Sequence, residues 1–301
     1  KNSDGTRTDY WKFDKKHAPY LFFMGVGEYS VVQDKWKDIA VDYYVEKEYE
    51  PYAQGIFGLT PEMMDFFSDY TGVVYPWSKY AQIISRDYVS GAMENTTAVI
   101  HQEMAYQTAG ELVDKNSWES TIAHELFHHW FGDLVTAESW SNLTVNESFA
   151  NYSEYLWYEH KYGKDAADAH RHKEIAGYLS PDNELKDLVR FHYNSREDMF
   201  DAVSYNKGGA ILHMLRSYLG DAAFKAGIKE YLTANMYGTG EAHQLRLAFE
   251  KVSGKDLNWF FNQWYFNNGH PKLDVNYVYS EEAKIVTVQV EQTQENLFEF
   301  P

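Results

Sequence analysis

The chain has 301 residues, 44% hydrophobic and 17% aromatic, which supplies a core for one large domain or two ordinary ones and excludes a disordered polymer. A formal net charge of −18 disfavours nucleic acid or an anionic membrane surface as partner, because both require basic patches. There is no cysteine, so disulfides, cysteine-ligated zinc and thiol nucleophiles are excluded together, and no run of 18 apolar residues forms a transmembrane helix.

The opening "KNSDGTRTDYWKFDKK" lacks the apolar core of a signal peptide, and the close "VEQTQENLFEFP" stops inside strand-like sequence, so a fragment of a longer protein is expected. Residues 20–32, "YLFFMGVGEYSVV", read as a buried strand and its turn. In "WKDIAVDYYV" the residues Ile39, Val41, Tyr43 and Val45 alternate, as in a half-buried strand. "LTPEMMDFFSDYTG" offers Thr60 as N-cap, Pro61 in the first turn and Gly72 as stop. "KYAQIISRDY" and "TTAVIHQEM" are strand-like and bracket "VSGAMEN" at 89–95. Beyond residue 115 the texture becomes helical. Helices are expected from Ser117 to about Gly132, then over about 146–162, 164–179, 202–220, 221–237, 242–253 and 256–267, with an irregular stretch at 180–201. "KLDVNYVYS" and "AKIVTVQVEQ" alternate again as strands. Strands, a small α/β portion, a helical block and strands again make an α+β arrangement. Trp11, Trp36 and most other aromatics are assigned to the core.

His124 and His128 lie four residues apart, on one helical face, with Glu125 beside them. In this H-E-x-x-H pattern two imidazoles take tetrahedral zinc positions, and the glutamate activates water held by the metal. The alternative is a core helix with hydrogen-bonded histidines. Ile122, Ala123, Leu126, Phe127, Trp130 and Phe131 surround the polar triplet, so burying it without partners is costly, and a cation supplies one. A catalytic zinc also needs a third protein ligand. Phe131 and Leu134 occupy the positions where a metzincin has its glycine and third histidine, so that solution fails. Glu147, after 18 intervening residues, lies near the start of the next helix, with Glu154 two turns further as its rival. His129 points about 100° away from His128 and reads as structural. His170 and His172 read as a solvated helix face.

These motifs resemble the gluzincin aminopeptidases typified by aminopeptidase N. The resemblance rests on H-E-x-x-H, then Glu147 in "VNESFANYSEYL", on "GAMEN" at 91–95, on "FGDLVT" at 131–136 and on "SYNKGGAILHMLR" at 204–216, and spans roughly residues 36–270. It implies a thermolysin-like zinc peptidase domain, a small mixed or antiparallel sheet followed by a helical block, at 35–270. It also implies the end of an N-terminal β domain at 1–34 and the start of a β-sandwich at 271–301. By the same resemblance one Zn2+ would be bound by His124, His128 and Glu147, with Glu125 as general base and then acid. Tyr205 would stabilise the oxyanion. Gly91, Ala92, Met93, Glu94 and Asn95 would bind the substrate, Glu94 taking its free α-ammonium. The implied partners are peptides with a free N-terminus. Ser148 stands where the family more commonly has glycine. Two rivals stay open at this stage: a non-catalytic peptide-binding scaffold, and a bifunctional enzyme that also opens an epoxide. Side-chain preference, compartment and oligomeric state are not legible.

Overall fold

The computed structural model describes residues 1–300. Period-two patterning in the first third of the chain becomes a five-stranded mixed sheet. Its strands are β1 (Ser30–Trp36), β2 (Ile39–Val45), β3 (Lys79–Ser85), β4 (Ala92–Met93) and β5 (Ala98–Gln102), in the order β1-β2-β3-β5-β4. The pairs β1/β2 and β4/β5 are antiparallel, and β2/β3 and β3/β5 are parallel. β2 buries Val41, Tyr43 and Val45 on alternate positions, as its sequence requires. The central β3 is buried along five consecutive residues, as expected for a strand covered on both faces. β4 is an edge strand with one free side. β1 crosses the boundary expected between residues 34 and 35 and pairs along its full length with β2.

The short α1 (Ala53–Phe57) and α2 (Thr60–Thr71) follow β2. Gly72 ends α2 at φ +65°, a left-handed stop that glycine adopts at little cost. Phe67 on α2 packs edge-on against Phe127, which joins this layer to the helical block. That block comprises α3 (Glu119–Phe127), α4 (Thr144–Tyr162), α5 (Lys164–Tyr178), α6 (Pro181–Glu184), α7 (Gly208–Leu219), α8 (Asp221–Asn235), α9 (Ala242–Ser253) and α10 (Asn258–Trp264). Thirteen of the 19 residues of α4 are buried, which makes it the central helix, flanked by α3, α5 and α7. β6 (Val135–Ala137) and β7 (Gly238–Gly240) form a small parallel pair. β8 (Leu273–Ser280) and β9 (Ile285–Gln292) form an exposed antiparallel hairpin. Mixed α+β architecture is therefore what the molecule has.

Several expectations change. Residues 20–29 are not a buried strand: a single 3-10 turn covers Pro19–Leu21, Leu21 alone is buried, and Phe22, Met24 and Val26 are exposed. Among the described residues no strand pairs with that stretch. Trp11 is 80% exposed, whereas Trp36 is core. Ser117 does not cap α3: its N–H and hydroxyl both donate to Gln107 Oε1, while Asn116 Oδ1 accepts the Trp118 N–H. The helix also stops at Phe127 instead of near Gly132. Beyond it the turn tightens, with His129 N–H and Trp130 N–H bonding three residues back, and Gly132 takes φ +142°.

Candidate metal and active site

The end of α3 and the first turn of α4 present a set of candidate metal ligands to one another. His124 and His128 project from one face of α3, their rings 4.9 Å apart. Glu147 lies on the opposing helix, with Oε2 at 3.3 Å from His124 Nε2 and 3.2 Å from His128 Nε2. Neither approach is aligned as a hydrogen bond, so this buried oxygen has no partner of that kind. Three ligand atoms of the His, His, Glu type therefore converge within 4.8 Å of one another. That donor set suits zinc in a catalytic site, which takes three protein ligands and leaves a fourth position open.

Each imidazole is held from behind. His128 Nδ1 donates to the Phe131 carbonyl at 2.9 Å, an acceptor left free because α3 has ended. His124 Nδ1 is 3.0 Å from Glu154 Oε1. Both contacts put the ring proton on Nδ1 and leave the Nε2 lone pair facing the site. Glu154, the rival of Glu147 for the third-ligand role, thus lies behind His124. Its other oxygen, Oε2, is 3.3 Å from His170 Nε2. His170 is consequently not on a solvated face: it stacks on Tyr158 at 5.1 Å and borders Glu154, while His172 is exposed. Chain spacing could not reveal this, because α5 meets α4 only in the tertiary fold.

Electrostatics at the centre call for a cation. Burial pushes the Glu125 carboxyl up to about 8 and raises Glu94 as well. For Glu147 burial is outweighed by the two histidines, which hold it well below the usual carboxylate range. For His128 burial lowers the pKa, but Glu94 and Glu147 outweigh it and bring it to about 9. Glu154 stays near 2 because contacts with His124 and His170 overcome its burial. Buried carboxylates are thus balanced only by drawing protons onto the imidazoles, and a divalent cation meets the same demand without protons. The residues present fit a zinc ion.

Glu94 directly follows the first strand of a hairpin. β4 leads into it, a turn at 95–98 closes through the Ala98 N–H to the Asn95 carbonyl, and β5 returns. Glu94, Glu125 and His128 also offer ligand-type atoms within 4.8 Å of one another, so the glutamate of the "GAMEN" stretch reaches the centre. Asn95 instead turns its amide N–H to the Leu21 carbonyl at 3.3 Å. Gly91, Ala92 and Met93 line the free edge. Tyr205 sits in a π-helical turn, Val203–Lys207, that precedes α7, and its ring stacks on His124 at 5.9 Å. π-turns are often found at functional sites because they re-aim one side chain. Tyr20, which the sequence did not single out, is largely buried with its hydroxyl 3.5 Å from Asn146 Nδ2. It lines a cavity of about 430 Å3 together with His17, Asp133 and Trp140.

Residues 56–264 match the model of the peptidase family M1 domain, more than half of the chain. The chain belongs to peptidase family M1. It is 33% identical over 270 residues to the Tricorn protease-interacting factor F2 of Thermoplasma acidophilum, covering 86% of this chain and 34% of that protein. It is 32% identical over 268 residues to probable aminopeptidase 2 of Sulfurisphaera tokodaii, covering 86% and 34%. It is 30% identical over 263 residues to aminopeptidase M1 of Arabidopsis thaliana, covering 84% and 30%. The chain spans about a third of the length of these relatives. No helix among the described residues is long and apolar enough to cross a membrane.

Proposed function

We propose that this chain carries the catalytic centre of a zinc aminopeptidase that removes the N-terminal residue of peptides. The observation that carries the reading is Glu94 reaching the same few ångströms as Glu125 and His128. A peptidase that must choose chain ends needs a fixed anion at a set distance from its water base, and Glu94 supplies it. Membership of family M1 and the aminopeptidase names of several relatives support the reading.

In this reading His124, His128 and Glu147 hold one zinc ion. Zinc, when bound, supplies a Lewis acid that brings the pKa of water near 7. Glu125 takes the proton from the attacking water and returns it to the leaving amine. Tyr205 donates its hydroxyl to the developing oxyanion, a contact of the kind worth about 2.7–4 kcal/mol. Glu94 accepts the substrate's α-ammonium through a charge-assisted hydrogen bond. Gly91 to Asn95 offer the peptide a free strand edge, so its backbone lies alongside as an added strand. We propose further that the fold is thermolysin-like, with the catalytic unit at 35–270 and the margins 1–34 and 271–301 belonging to flanking β modules, β1 crossing the first boundary.

The test is Glu125→Gln, an isosteric change that leaves the three ligands in place. Hydrolysis of aminoacyl-anilides should fall below detection while one zinc per chain remains by metal analysis. Retention of most of the activity would contradict the assigned base.

A further inference from the structure

His129 immediately follows a candidate metal ligand, is fully buried, and is not itself part of the donor set. Its two nitrogens are both used. Nδ1 donates to the Glu125 carbonyl at 3.2 Å, one turn back on α3. Nε2 accepts the Thr97 N–H at 3.0 Å. The Asp133 carboxylate, 3.6 Å from Nε2, is too far for a hydrogen bond. The ring is packed between Tyr75, stacked at 5.7 Å, and Tyr80, edge-on at 4.9 Å. Its own carbonyl accepts the Trp77 indole N–H at 3.0 Å. This imidazole therefore has no freedom of position or of tautomer.

What it grips is a strained turn. Thr97 is the third residue of the hairpin turn 95–98 and has φ +66°, a conformation that favours glycine and disfavours a β-branched residue. Strain of this kind persists only where the surroundings over-determine it. The His129 acceptor does this on one side, and the Thr97 carbonyl accepting the Ala81 N–H does it on the other. Glu94 is three residues before Thr97, between the end of β4 and the same turn.

We propose that His129 is the positioning residue that sets the distance between the amine-anchoring carboxylate, Glu94, and the helix carrying the metal ligands and the base. It bridges the two elements through main-chain atoms only: the Glu125 carbonyl on α3 and the Thr97 N–H on the hairpin. In an exopeptidase that distance decides which bond is cut. A displacement of about 1 Å at a reacting centre can cost on the order of 100-fold in rate. This proposal rests on the reading of Glu94 as the amine anchor.

The experiment compares His129→Ala and His129→Gln in the full chain, with leucyl-anilide and its N-acetylated counterpart as probes. Gln carries an acceptor and a donor that can serve the same two main-chain groups. His129→Ala should raise KM for the free-amine probe roughly 10-fold or more with a smaller change in kcat, keep one zinc per chain, and narrow the preference for free over blocked substrate. His129→Gln should stay within about threefold of the parent in KM. Unchanged KM and preference in a folded His129→Ala would overturn the proposal. So would equal losses in both variants, which would mark a packing role. If His129→Ala does not fold, the comparison is made in a Thr97→Gly background, where the turn adopts its conformation without strain. If the parent shows no preference for a free amine, the reading of Glu94 itself fails, which is a separate result.

Discussion

Ser148 and Gly208 are a matched pair between α4 and α7. A β-carbon at Gly208 would meet Ser148 Oγ at 1.8 Å and Ser148 Cβ at 2.6 Å. The same hydroxyl donates to the Ser204 carbonyl at 2.6 Å, so it tethers the π-turn that aims Tyr205. Gly208→Ala should therefore destabilise by about 1–3 kcal/mol through overpacking and should lower kcat by displacing Tyr205. Ser148→Gly in the same chain removes both clashing atoms and should recover most of the stability, as read by urea unfolding. A double variant no better than Gly208→Ala would contradict this account of the contact. Glu94→Ala, by contrast, should leave stability nearly unchanged. Its kcat/KM on free-amine anilides should fall at least 10-fold further than on blocked peptides, and equal losses on both would count against an amine anchor. Glu154→Ala should weaken zinc binding about 10–100-fold, measured against a competing chelator, because His124 loses the group that orients it. An unaltered zinc affinity would contradict that role.

At the scale of elements, β5 carries the clearest pH dependence. His101 is fully buried with Nε2 facing Gln82 Oε1 at 3.0 Å and Nδ1 accepting the Trp118 indole N–H at 3.1 Å. The ring is thus neutral, and burial pushes its pKa down to about 3. The unfolded chain protonates this histidine near 6.5, the folded one only near 3. Between those values the unfolded state holds more protons, so folding stability rises with pH and is lost as pH falls below 6.5. The slope from this group approaches about 1.4 kcal/mol per unit. Urea midpoints at pH 7.5 and 5.5 should differ more for the parent than for His101→Gln, and equal differences would contradict a buried neutral imidazole.

Some of these elements were legible in the chain and others were not, for physical reasons. The two histidines and Glu125 could be read because helical spacing alone puts them together. β2 could be read from its alternation, and α9 appears at its expected bounds, Ala242–Ser253, because its glycine stop is local. The end of α3 could not, since Gly132 and the His128-to-Phe131 contact act only once the chain has turned. The Thr97 grip of His129, the Ser148 fit to Gly208 and the approach of His170 to Glu154 join residues 16 to 60 positions apart, and no local pattern encodes them. Residues 20–29 show the converse: an apolar run is a strand only where another strand lies beside it.

For the molecule as a whole, the sheet supplies one wall of the centre through the β4–β5 hairpin, and the paired helices α3 and α4 supply the other. Glu94 comes from the first, His124, Glu125, His128 and Glu147 from the second, and Tyr205 from the turn before α7. His129 joins the walls. On the proposed reading such a centre should depend wholly on a bound metal, because without a cation the buried carboxylates are opposed only by protonated imidazoles. The most direct measurement is leucyl-anilide hydrolysis by this chain before chelation, after chelation and after return of one equivalent of zinc. The account predicts activity, then its loss, then its recovery, with none of the three seen in Glu147→Ala. Hydrolysis that persists in the chelated, zinc-free protein would contradict it.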